Sequence, residues 1–77
     1  MSEQAKILKA IAENLGLSAA DLDRYANLSE DLNLGPVEIS DLIQHLSDEF
    51  EVHFALEDIE EVSTVEDLIV LVEDSLI

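Results

Sequence analysis

The sequence predicts an all-α fold, a small four-helix bundle with three longer helices, one short third helix and a long first loop. Apolar residues recur at helical spacing in three separate segments, and capping residues stand at the ends of those segments. Leu, Ile and Val are abundant in a chain that is 48% hydrophobic, so an apolar core is feasible. The 77 residues include no cysteine, and we therefore expect residues 1–77 to form a single domain held by that core alone.

The first helix is predicted over about residues 3–15 and ends at Gly16, because glycine readily adopts the left-handed conformation that closes a helix. Its apolar side consists of Ile7, Leu8, Ile11 and Leu15. From Leu17 to Gly35 the helical periodicity fades, which predicts a long ordered loop with one capped turn at Ser18–Asp21. The loop residues expected to pack on the core are Leu17, Leu22, Tyr25, Leu28, Leu32 and Leu34.

The second helix is predicted to begin at Gly35-Pro36, because the fixed φ of proline suits the first helical position and its missing N–H is not needed there. We expect this helix to run from about Pro36 to Glu51. Its core-facing side consists of Ile39, Leu42, Ile43, Leu46 and Phe50. Its outward side consists of Glu38, Asp41, Gln44, His45, Asp48 and Glu49.

A connecting segment and a short third helix are predicted next. Residues 52–55 could form a strand, but no other segment is available to pair with it, so we interpret them as a connection. Residues 56–61 fit one short helix.

The fourth helix is predicted to begin with a cap in the segment 63–67, ahead of the apolar residues Val65, Leu68, Ile69, Val72 and Leu76, and to run to about Ser75. Within that segment a capping box can form in two ways, between Thr64 and Asp67 or between Ser63 and Glu66. The pair Val70-Leu71 makes this helix apolar around most of its circumference. Either the core is larger or part of this helix contacts another protein, and of the two we expect the larger core.

The charge of the chain constrains its partners. Three basic residues against nineteen acidic ones give a net charge of −16, and after Arg24 there are fifteen acidic residues and no Lys or Arg. Such a surface disfavours nucleic acid and anionic membranes and favours basic proteins. With neither a membrane span nor a signal peptide in the sequence, we expect a cytoplasmic protein. We also expect it to be a monomer.

No set of residues meets the requirements of catalysis or of a metal site. His45 and His53 have no nucleophile and orienting group at a telling spacing, so we interpret His45 as a solvated helix residue and His53 as a loop residue. Residues 21–23 resemble the opening of a calcium loop, but the positions that need a ligand, a glycine and a glutamate hold Tyr25, Ala26 and Leu32. We therefore expect neither an enzyme nor a bound metal ion.

Several segments together carry a family resemblance. The chain reads E-D-L-N-L-G-P-V-E over residues 30–38, has Leu42 and Leu46 in the second helix, and continues with E-F-E at 49–51 and S-T-V-E-D-L at 63–68. In these segments, and in its length and acidity, it resembles the acyl carrier protein family over nearly its whole length. The resemblance implies a four-helix bundle whose acidic second helix docks on basic patches of synthase enzymes.

One departure from the family motif E-D-L-G-x-D-S-L bears on function. In the family, the serine of this motif is joined to 4′-phosphopantetheine, whose thiol carries the acyl chain. Here Pro36 occupies the serine position, flanked by Gly35 and Val37. Because proline has no hydroxyl, we expect no cofactor at this position. Two other serines, Ser29 and Ser40, are the remaining candidates for modification.

The resemblance also implies which residues dock on partners. They are Glu38, Asp41, Asp48, Glu49, Glu57, Glu60 and Glu61. The first hypothesis is therefore a non-enzymatic module that binds enzymes of fatty-acid or polyketide metabolism. An alternative is a genuine carrier that is modified at another serine or holds acyl chains without a covalent bond. A further alternative, from the charge alone, is an acidic decoy that mimics nucleic acid.

Overall fold

A computed structural model of the chain describes residues 2–76 and shows four α-helices. These are α1 (Glu3–Leu15), α2 (Pro36–Phe50), α3 (Leu56–Glu60) and α4 (Val65–Ser75). A single 3₁₀ turn at Ala19–Asp21 interrupts the long loop between α1 and α2, at the predicted place. No strand occurs within residues 2–76, and residues 52–55 form a connection. The predicted bundle with a short third helix is confirmed.

The ends of α1 and α2 are determined by residues at the ends themselves. The hydroxyl of Ser2 accepts a hydrogen bond from the N–H of Ala5 at 3.1 Å, which caps the start of α1. Gly16 ends α1 with a φ of 72°, a conformation that glycine adopts without strain. Pro36 begins α2, and Glu51 closes it with a φ of 54°. The predicted boundaries therefore differ from the observed ones by one residue at most.

A capping box begins α4. The hydroxyl of Thr64 accepts from the N–H of Asp67 at 3.1 Å, and the Asp67 carboxylate accepts from the N–H of Thr64 at 3.0 Å. The same carboxylate accepts from the N–H of Ser63 at 2.9 Å. Of the two predicted pairs, Thr64 with Asp67 is the one that forms. The hydrogen bond from the Ser63 N–H contributes most to lowering the pKa of Asp67, and the Thr64 N–H adds to it.

This cap predicts a dependence of stability on pH. Because folding lowers the pKa of Asp67 below its ordinary value of 3.8, the carboxylate stabilises the fold above that value and loses this effect as pH falls through the folded pKa. We expect Asp67→Asn to lower the melting temperature at neutral pH, and the difference from wild type to shrink in acid. Thermal melts from neutral to acidic pH measure this. Asp74→Asn, on the same helix, is the control, and a deficit independent of pH would contradict the prediction.

The core lies where α1 packs against α4 and α2. Its largest fully buried side chains are Ile7, Ile11, Leu28, Leu46, Val65, Leu68, Ile69 and Val72. The long loop contributes to this core through Leu22, Ala26 and Leu28, which are all buried. The expectation was wrong for two loop residues, because Leu17 is 43% exposed and Tyr25 is 71% exposed. Leu32 and Leu34 are partly buried and pack against this core, as expected. The loop therefore packs on the helices over most of its length, and Leu17 and Tyr25 are the predicted residues that do not.

Backbone hydrogen bonds hold the loop against the segment before α4. The N–H of Leu28 donates to the carbonyl of Ser63 at 2.8 Å, and the N–H of Val65 donates to the carbonyl of Ala26 at 3.0 Å. The side-chain oxygen of Asn27 accepts from the backbone N–H groups of Ser29 and Glu30. These bonds order the chain just before α2 begins.

One ion pair clamps the loop to two helices. The guanidinium of Arg24 donates to both carboxylate oxygens of Glu66, at 2.6 and 2.9 Å, and to the side-chain oxygen of Gln4 at 3.0 Å. Within residues 2–76 it is the one ion pair between side chains. Arg24, the single cationic residue of the loop, is thus bound to Gln4 of α1 and Glu66 of α4. It does not offset the negative charge of α2 and α3.

The apolar pair on α4 is not wholly in the core. Leu71 is half-buried and Val70 is 41% exposed, and neither packs with the core residues, so the expectation that this pair enlarges the core was wrong. The reason is the helical period, since Leu68, Ile69 and Val72 already fill the side of α4 that faces the bundle. No helix within residues 2–76 combines the length and the apolarity that crossing a membrane requires.

Candidate functional site

The residues at the start of α2, Gly35, Pro36 and Val37, carry no hydroxyl or other nucleophilic group. Gly35 precedes the helix without a side-chain cap, and Pro36 is its first residue. Pro36 and Val37 are both exposed. A Cβ atom placed on Gly35 would lie 2.7 Å from Oε1 of Glu38, so the Glu38 carboxylate folds back over Gly35. The partial positive charge of the helix N-terminus stabilises this carboxylate. A negative group, and no hydroxyl, therefore stands at the helix start.

The two candidate serines lie on either side of Pro36. Ser29 belongs to the loop, and its hydroxyl donates to the side-chain oxygen of Asn27 at 3.0 Å. Ser40 lies one turn into α2. Both are exposed, and both line the same cavity as Pro36. Neither occupies the first position of the helix.

The cavity beside Pro36 is apolar and has a volume of about 390 Å³. It lies between the loop, α2 and α3, and its apolar walls consist of Leu34, Pro36, Ile39, Ile43 and Ile59. Its volume falls in the range of pockets that hold small organic ligands, and its walls offer no charged group. An alkyl chain or an apolar side chain of a partner is the kind of group that such a cavity can hold.

The outward side of α2 is a surface of carboxylates, which we call the α2 face. It consists of Glu38, Asp41, Asp48 and Glu49, all exposed, and α2 contains no Lys or Arg. Gln44 donates a hydrogen bond to the Asp48 carboxylate at 3.1 Å. His45 is exposed and His53 lies in the connection between α2 and α3, both as predicted. Long-range attraction from such a face steers basic partners toward it.

The acidic residues in and directly after α3 do not all lie beside the same cavity. Glu57 and Glu60 of α3 and Glu61 directly after it are all exposed. Glu61, however, lines a second cavity between α3 and α4 together with Asp58, whereas Glu57 and Glu60 line neither cavity. Glu61 is therefore not brought to the cavity beside Pro36. Asp58 was not among the residues that the resemblance implies for docking, although it belongs to the same acidic run as Glu57, Glu60 and Glu61.

Within residues 2–76, no three His, Asp or Glu side chains are placed so that they could hold a metal ion together. The many carboxylates are instead spread over the surface. They repel one another over distances that salt can screen, since the Debye length falls from about 30 Å at 0.01 M to about 3 Å at 1 M ionic strength.

This repulsion predicts that salt stabilises the fold. We expect the melting temperature to rise with sodium chloride and at lower concentration with magnesium chloride, and a gain of about 1 kcal/mol would raise it by about 4–8 °C. Asp48→Asn combined with Glu49→Gln removes two of the charges and should reduce the response. Differential scanning calorimetry checks both, and a melt insensitive to either salt would contradict the prediction.

A family model and a solved structure both match this chain over most of its length. The model of a family described as "Phosphopantetheine attachment site" matches residues 5–72. Among solved structures, an acyl carrier protein from Thermotoga maritima superposes with a TM-score of 0.77 and 27% sequence identity, over 96% of this chain and 91% of that one. The similarity thus extends through all four helices and includes the loop that leads to Pro36.

Proposed function

The chain belongs to the family of phosphopantetheine attachment-site domains, and we propose that it is a member without the prosthetic group, a non-enzymatic module that binds enzymes of acyl metabolism. One observation carries the proposal. The first residue of α2, where the resemblance places the modified serine, is Pro36. A phosphodiester to the protein requires a hydroxyl oxygen, and the pyrrolidine ring has none.

The surroundings of Pro36 also disfavour the group. The Glu38 carboxylate lies over Gly35 at the start of α2 and already occupies the space beside the helix terminus. The hydroxyls that line the same cavity as Pro36, those of Ser29 and Ser40, do not stand at the helix terminus. The residues at this position therefore do not fit a covalently attached phosphopantetheine. The family property that we propose for this chain is the binding of partner enzymes by the surface around that position.

The α2 face supports the binding part of the proposal. Its carboxylates are exposed and lack neighbouring cations on the same helix, which favours rapid, salt-sensitive association with a basic surface. Glu57 and Glu60 of α3 are also exposed and extend the acidic surface beyond α2. The partners that fit are the basic patches of fatty-acid or polyketide-type enzymes.

Intact mass spectrometry tests the missing group directly. The chain is co-expressed with a phosphopantetheinyl transferase of broad specificity, alongside an ordinary acyl carrier protein as a positive control. We expect the control to gain the mass of one phosphopantetheine and this chain to gain none. A gain in mass would overturn the proposal, and Ser29→Ala and Ser40→Ala would then locate the attachment.

Affinity capture tests the partners. The tagged chain is compared with a variant of the α2 face carrying Glu38→Gln, Asp41→Asn, Asp48→Asn and Glu49→Gln. We expect the wild-type chain to retain acyl-metabolism enzymes and the variant to lose them. Neutralising four carboxylates outside α2, those of Glu3, Glu13, Asp21 and Glu30, is the control for overall charge. Recovery of nucleic-acid-binding proteins alone would instead favour the acidic decoy.

The cavity beside Pro36 favours one second candidate function, the binding of acyl chains without a covalent bond. Its walls are apolar, and its volume of about 390 Å³ suits part of an alkyl chain. Titration with a long-chain acyl thioester should then shift the NMR signals of the methyl groups of Ile39, Ile43 and Ile59. Unchanged signals would exclude this function and leave the first one standing.

A further inference from the structure

A second cavity, of about 440 Å³, lies between α3 and α4. We call it the α3–α4 groove. Its apolar lining comes from Val62, Val70 and Leu71, and its exposed acidic lining comes from Asp58, Glu61 and Asp74. None of these residues belongs to the α2 face or lines the cavity beside Pro36. The groove is therefore a separate surface of the molecule.

The apolar residues that line the groove are not fully buried in the core. Val70 is 41% exposed, and Val62 and Leu71 are only half-buried. Leu68, Ile69 and Val72 of the same helix are buried in the bundle. Three neighbouring apolar side chains thus remain partly in contact with water, and covering them with an apolar group would remove that surface from water.

The charged lining of the groove has a single sign. No Lys, Arg or His lines it. A fourth carboxylate, that of Asp67, also lines it but is already occupied by the cap of α4. The carboxylates of Asp58, Glu61 and Asp74 make no side-chain hydrogen bond or ion pair among the described residues. They are also not placed to hold one metal ion together. Separate cations along a polypeptide match this arrangement better than a single ion.

We infer that the α3–α4 groove binds a basic segment of a partner protein, one that places an apolar side chain on Val70 and Leu71 and lysine or arginine side chains beside Asp58, Glu61 and Asp74. The charge of the whole chain decides between occupants. A second copy would bring a further net charge of −16, and nucleic acid or an anionic membrane would bring phosphates, so each is repelled. The inference stands independently of the proposed function.

A synthetic amphipathic peptide with one leucine between lysines is the probe. It is titrated into the full chain labelled with ¹⁵N, and the amide signals are followed by NMR. We expect the largest shifts at Val62, Val70, Leu71 and Ser75. A second peptide with serine in place of the leucine should bind at least about fivefold more weakly, because the apolar anchor carries much of the affinity. Shifts confined to α2 would overturn the inference.

Two variants separate the groove from general acidity. Val70→Ser should weaken the leucine peptide at least about fivefold and leave the serine peptide unchanged, and because Val70 is exposed the fold should persist. Asp58→Asn, Glu61→Gln and Asp74→Asn together should weaken binding and flatten its dependence on salt. Glu13→Gln, Asp21→Asn and Glu30→Gln remove the same charge elsewhere and are the matched control. Equal losses in the two charge variants would show that the peptide binds by net charge alone.

Discussion

Combining Gly35→Asp, Pro36→Ser and Val37→Leu is expected to turn the chain into a substrate for a phosphopantetheinyl transferase. The three substitutions restore the family motif at the start of α2. They supply a hydroxyl at the first helical position, in a bundle that superposes on an acyl carrier protein with a TM-score of 0.77. We expect no attachment at residue 36 of the native chain and attachment at residue 36 of the variant, because the phosphodiester requires a hydroxyl oxygen that proline lacks.

The structure indicates that this variant folds. Pro36 and Val37 are exposed, so their replacement removes no core contact. A Cβ atom at Gly35 would lie 2.7 Å from Oε1 of Glu38. That oxygen ends a flexible, exposed side chain, which can turn away at low cost.

Intact mass after co-expression with the transferase measures the outcome. The variant should gain one phosphopantetheine. A matched triple variant with Pro36→Ala in place of Pro36→Ser also removes the ring but adds no hydroxyl, and it should gain none. Circular dichroism melts establish that both variants are folded. A folded but unmodified triple variant would show that features other than these three residues also prevent attachment, and the role assigned to Pro36 would then be incomplete.

Leu28→Ala is expected to cause a large loss of stability, about 3 kcal/mol, although the residue lies in a loop. The side chain of Leu28 is 0% exposed, and its truncation leaves a cavity in the core. A domain of this size has a total stability of about 4–12 kcal/mol. The melting temperature should therefore fall by roughly 12–24 °C.

Leu17→Ala is the matched control, because it makes the same chemical change in the same loop. Leu17 is 43% exposed, so we expect its loss to cost clearly less than that of Leu28. Urea denaturation monitored by circular dichroism gives both free energies of unfolding. Similar small effects for the two variants would show that the middle of the loop does not belong to the core.

The helices could be predicted because the signals that begin and end them are local. Gly16, Pro36 and the Thr64–Asp67 box each act within a few residues of the boundary that they determine. Backbone conformation and capping hydrogen bonds depend on these neighbours and little on the rest of the fold. The sequence likewise predicted the exposed acidic side of α2, since the helical period separates it from the apolar side.

The loop and the surfaces between helices could not be predicted in the same way. Leu17 and Leu28 look alike in the sequence, yet one is exposed and the other buried. What distinguishes them is a contact with a distant segment, the hydrogen bond from Leu28 to Ser63. Val70 was expected in the core for the same reason, because apolar character alone does not reveal that the core side of α4 is already complete.

The sequence by itself determined the extent of the helices, the acidic charge and the absence of a hydroxyl at position 36, because each depends on the identity of residues or on their immediate neighbours. Only the tertiary structure decided which loop side chains enter the core, that Glu38 folds back over Gly35, and that Glu61 joins Asp58 and Asp74 along the α3–α4 groove. These arrangements depend on how elements distant in the chain pack together, and local patterns carry no information about that packing.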